Sequence, residues 1–299
     1  MGSARQNPPN GEQRRAILLP TEPESCAFNV IEDCRFRHGG RFNPEGTAVF
    51  VTHASDCRTE HNEIDDWYYS GITVGYTWGY KGSVAQRNRI AYNRISRLGQ
   101  HELSDMGGIY TLGTSFGTVV CNNVITDVFG YDKSAWGLYA DEGSEGIVFE
   151  NNVISHTEFG GLNQHYGSGC VFRNNIIAYN DERGCLSTSR REFGGVPSRV
   201  DIVGNIFYTH KGPLACKGSM EVDGVRAHNV WWKEGGPAAD DLDGRSAEEY
   251  LASGRACGDV VADPLFVDAK NGDFRLKPDS PALKLGFREW DHSLAGPRF

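Results

Sequence analysis

Methionine occurs three times in 299 residues and proline 12 times, while glycine reaches 37. A chain this short of helix formers and this rich in turn formers is not a helical bundle. No run of eighteen apolar residues occurs, so no membrane-spanning helix is expected, and Ala16–Leu19 is too short for the core of an export signal. Positive charge is in deficit: 30 Lys and Arg against 39 Asp and Glu leave a formal charge of −9. That balance repels phosphate backbones, so neither nucleic acid nor membrane is an expected partner. The eight cysteines include no CxxC pair, which excludes zinc-ribbon and dithiol redox motifs. Buried free thiols are expected, with Cys26, Cys34 and Cys57 the group best placed for any disulfide. HExxH and GxSxG are absent too, and His53, His61 and His165 lack metal-ligand spacing, so no metal or cofactor is expected.

What the chain does contain is a repeat. An apolar, polar, Asn, apolar pattern recurs around Asn29, Asn62, Asn88, Asn123, Asn152, Asn175, Asn205 and Asn229. Between these asparagines lie segments with strand periodicity, among them Gly71-Ile-Thr-Val, Gly108-Ile-Tyr-Thr, Gly137-Leu-Tyr-Ala and Gly161-Leu-Asn-Gln. Units of this size cannot each close a core, so they must stack. The expected fold is all-β, a right-handed parallel β-helix of about eight coils, with the asparagines as a structural ladder. Residues 1–25 read as a loose extension, 26–235 as the solenoid and 236–299 as a cap. The cap would combine a helix begun by Ser246-Ala-Glu-Glu249 with a hairpin around Lys270-Asn-Gly.

Aligning the four glycines predicts a register. Ile72, Ile109, Leu138 and Leu162 point inward; Thr73, Tyr110, Tyr139 and Asn163 form one outward column, and Gly75, Leu112, Asp141 and His165 the next. Trp78, Trp136 and Tyr166 crowd the same strip, as suits sugar rings, whose apolar faces stack on aromatic side chains. Two acidic motifs border it, Ser104-Asp105-Met-Gly-Gly108 and Asp141-Glu142-Gly143. Glycosidic cleavage needs one carboxylic acid for the leaving oxygen and one carboxylate as nucleophile or base. Asp141 is expected to face outward and Glu142 to face away unless a bulge intervenes, which would exchange their roles. Asp105 requires a folded entry loop, with Gly107 and Gly108 as the flexible positions. A lyase would want a basic proton abstractor, and the aligned columns contain neither Lys nor Arg.

The stretches Trp67–Tyr80, Leu103–Gly113, Trp136–Ser144 and Gln164–Gly167 resemble right-handed β-helix carbohydrate-active proteins, most closely family 141 of the glycoside hydrolases. The resemblance implies an exported enzyme, secreted or periplasmic, that hydrolyses plant-type polysaccharide such as xylan or fucosides. It implies Asp105 and Asp141 as the acidic pair, the same residues reached from the two motifs that border the strip. His165, Asn163, Tyr110, Tyr139, Trp136, Trp78 and Tyr166 are then expected to contact the substrate. A polysaccharide lyase or epimerase on the same scaffold, and a glycan-binding solenoid without activity, are the alternative readings.

Overall fold

A computed structural model describes residues 26–299; the expected loose extension, 1–25, lies outside the described residues. Three parallel sheets wrap one core. The first has eight strands, from Val30–Glu32 to Arg226–Ala227; the second has nine, from Arg35–Gly39 to Val260–Val261; the third has six, from Val49–Thr52 to Leu186–Thr188. Each coil supplies one strand to each sheet in turn, as Arg58–Glu60, Glu63–Trp67 and Ile72–Gly75 do. Isolated bridges from Leu186 to Ala215 and from Ala215 to Leu242 carry the third face through the last coils. The architecture is the parallel β-helix that the repeat predicts.

The corner between the first and second sheets holds the asparagine ladder, with one correction to its membership. The ladder runs Asn62, Asn93, Asn123, Asn152, Asn175, Asn205 and Asn229, and each Oδ1 from Asn93 onward accepts both the backbone N–H and the Nδ2 of the preceding rung. Asn29 and Asn88 sit at the opposite end of their first-sheet strands; Asn88 bonds Cys57 N–H and the Ala54 carbonyl instead. The left-handed residue of each corner is the one before the ladder position, as at His61, Tyr92, Asn122, Asn151 and Asn174. Asp259 ends the ladder, accepting from Asn229, Trp231 Nε1 and Tyr250 Oη.

The inward column of the third sheet, Ile72, Ile109, Leu138, Leu162 and Leu186, is fully buried, in the predicted register. Burial of each such side chain contributes about 1.5–3 kcal/mol. Phe149 stacks on Phe172 at 4.4 Å and Phe207 on Trp231 at 4.0 Å, continuing the core along the axis.

The helix Ala247–Ala252 starts from a capping box on Ser246 and Glu249 and packs Tyr250 edge-on against Trp231. The hairpin Phe266–Asp268 and Asp273–Leu276 also forms, but it does not close the end of the stack. Phe266 and Phe274 instead pack with Val153, Ile176 and Ile206 on the outer side of the second sheet. The chain then runs back along that face, with Arg94 bonding the carbonyls of His292 and Ala295, and Arg298 paired with Asp33 at the first coil. The segment expected as a cap is largely a strap along the solenoid. Among the described residues no helix is long and apolar enough to cross a membrane. All eight cysteines are free thiols, five of them buried, and burial pushes Cys170 and Cys185 up to about 12.

Candidate active site

Asp105 and Asp141 reach one groove of about 510 Å³ on the outer side of the third sheet. Asp105 owes its place to its own backbone, which is left-handed at φ +56°, just before the strand Met106–Leu112. This corrects the expectation that Gly107 and Gly108 supply the bend. Those glycines serve packing: a Cβ on Gly108 would strike Ile125 and lie 2.8 Å from the Gly137 carbonyl, and one on Gly107 would lie 2.9 Å from Tyr139 Cβ. Tyr69 Oη fixes the Asp105 carbonyl at 2.8 Å.

Asp141 follows the strand Ala135–Ala140, and its N–H still bonds the Thr111 carbonyl. The chain turns there, with Ser144 N–H on the Asp141 carbonyl and Gly143 at φ +74°. A Cβ on Gly143 would run into the Gly79 backbone, so only glycine passes. The turn breaks strict alternation, so Glu142 also borders the groove rather than facing away.

The two aspartates live in different surroundings. Asp141 is 5% exposed. Its Oδ1 accepts from His165 Nδ1–H at 2.9 Å and its Oδ2 from Tyr110 Oη at 2.5 Å. Burial alone favours the neutral acid, but His165, Tyr110 and the Glu142 backbone N–H stabilise the carboxylate and bring Asp141 below its ordinary value. Asp105 is open to solvent on one side. Partial desolvation raises its proton affinity, the hydrogen bond from Tyr139 Oη at 3.0 Å opposes this, and the nearby Asp141 charge adds to the rise. The net displacement of Asp105 is upward. Tyr139 Oη donates to Asp105 Oδ1 and also feels the Asp141 charge, so one phenol lies near both carboxyls.

Tyr110 and Tyr139 stack on each other at 4.6 Å, with Tyr76 tilted against the first and Trp136 against the second. Their ring faces are thus occupied, and it is their hydroxyls that serve the site. Trp136 is 4% exposed, and its buried Nε1–H has no partner among the described residues; other atoms of the residue line the groove. Trp78, Asn163 and His165 line it as well. Tyr166 does not; it lies beneath Phe193 and donates to Glu142 Oε2 at 3.1 Å. Sequence reasoning missed Ser104 and Ser189 as lining residues and above all Lys133, which borders the groove although no aligned column contains Lys or Arg. Lys133 belongs to a loop, where strand alternation gives no signal. Among the described residues no three His, Cys, Asp or Glu side chains gather to hold a metal ion.

The coil stacking defines a β-helix protein with a groove on the outer side of its third sheet. The right-handed β-helix region family matches residues 24–224, more than half of the chain, and the chain belongs to that family. Among solved structures, a chain named glycoside hydrolase is similar to 53% of this chain at 27% identity, with a TM-score of 0.45. The similar region spans 27% of that chain's length. No curated protein matches.

Proposed function

We propose that the protein is a glycoside hydrolase, with Asp105 as general acid and Asp141 as the nucleophile or base. The observation that carries this reading is the opposite displacement of two carboxyls in one groove. A proton held longer on Asp105 is available to the leaving oxygen, while an Asp141 kept ionised faces the sugar carbon or a water. A neutral or weakly charged glycan suits the acidic lining, and xylan- or fucoside-type substrates are the first to test.

Lys133 is the observation that favours β-elimination, since this basic residue borders the groove. The test is a screen of polysaccharides and aryl glycosides against wild type, Asp105→Asn and Asp141→Asn. Hydrolysis predicts new reducing ends without unsaturated-product absorbance, and a loss of at least about 10²-fold in each folded variant. Unsaturated products abolished by Lys133→Met would replace this reading with a lyase. Glycan binding without turnover by wild type would replace it with a binding module.

A further inference from the structure

The groove does not end at the acids. Phe50 and Trp78 are 49% and 53% exposed and share a ring neighbour, Tyr76. Phe50 belongs to the strand Val49–Thr52 and stands in the same outward column as Thr73, Tyr110 and Tyr139. It therefore lies two strand spacings, about 10 Å, from Tyr110 toward the first coil. Tyr76 joins these rings into one surface: it meets Phe50 edge-on at 4.8 Å and Trp78 at 5.0 Å, and tilts against Tyr110 at 6.2 Å. The Tyr76 N–H bonds the Leu112 carbonyl at 2.9 Å, so the central ring is carried on a fixed backbone. The opposite end of the groove is polar, walled by Asn163, His165 and Ser189.

We infer that Phe50 and Trp78 form a glycan-binding extension of the groove, holding further sugar units on its first-coil side, so that recognition requires a chain rather than a single terminal sugar. The occupant follows from continuity. The rings adjoin a groove whose acids suit a glycosidic bond, both contact Tyr76, and exposed aromatic faces match the apolar faces of pyranose rings. This inference rests on the glycan reading of the site.

The experiment is calorimetry on the Asp105→Asn/Asp141→Asn protein, which reads binding apart from turnover. The probes are dimers and hexamers of β-1,4-linked xylose, glucose and mannose. At least one hexamer is expected to bind more tightly than its dimer. Phe50→Ala and Trp78→Ala each weaken that hexamer by roughly tenfold, the scale of one aromatic contact. Phe50→Ala leaves dimer binding within about twofold, and Phe50→Tyr restores hexamer binding. Equal affinity for dimer and hexamer, or equal weakening of both by Phe50→Ala, overturns the extension and leaves the hydrolase reading standing. Failure of every glycan to bind or be cleaved by wild type removes both.

Discussion

Tyr110 and Tyr139 stand face to face, ring centroids 4.6 Å apart, with their hydroxyls assigned to different acids: Tyr110 donates to Asp141 and Tyr139 to Asp105. The stack arises because the two residues are direct partners on neighbouring strands. One coil-to-coil register thereby sets the positions of both carboxyls, and a change to either tyrosine is felt at a specific aspartate.

That pairing predicts a pH profile. Activity requires Asp141 ionised and Asp105 protonated, so the rate rises as Asp141 loses its proton and falls as Asp105 loses its own. His165→Ala and Tyr110→Phe remove hydrogen bonds that lower Asp141. The acid limb of kcat/KM should then move to higher pH. Tyr139→Phe removes the bond that lowers Asp105, and the alkaline limb should move to higher pH as well. Initial rates across pH 3 to 9 on one substrate check these directions, an interval spanning roughly the carboxyl range and beyond.

The ladder predicts unequal costs for one substitution. Asn152→Ala leaves the Asn123 N–H and Nδ2 without their acceptor inside the stack. Two orphaned buried donors cost about 2–5 kcal/mol. Asn29→Ala, at an exposed position outside the ladder, should cost less than about 0.5 kcal/mol. Urea unfolding monitored by circular dichroism measures both.

Gly137→Ala tests the close approach behind the site. Its Cβ would meet Ile154 and lie 2.7 Å from the Gly161 carbonyl, in a strand that also carries Trp136 and Tyr139. Overpacking there should cost about 1–3 kcal/mol and reduce activity as the register of Tyr139 shifts. Thermal unfolding and turnover, measured on the same preparation, check the two effects together.

The sequence was most legible where structure repeats. The Gly-apolar segments of the third sheet allowed the register of Tyr110, Tyr139 and Asn163 to be read, because a strand period of two leaves little freedom once one face is buried. The ladder was misphased at Asn29 and Asn88 because a first-sheet strand is three residues long and both its corners favour a polar side chain bonding to the next coil. Asn88 and Asn93 therefore look alike in sequence while serving different corners. Lys133 and the entry of Asp105 were illegible for another reason: both depend on loop conformation, which periodicity does not encode. The strap was misread because hairpin signals report local pairing and say nothing about the surface on which the hairpin docks.

The proposed chemistry requires that the two carboxyls of one groove be displaced in opposite directions from the ordinary aspartate value. Carbon-13 NMR titration of aspartate-labelled protein measures this directly, with the two resonances assigned by their loss in Asp105→Asn and Asp141→Asn. Asp141 should titrate below and Asp105 above the ordinary aspartate value of about 3.9. Asp141 titrating above Asp105 would contradict it.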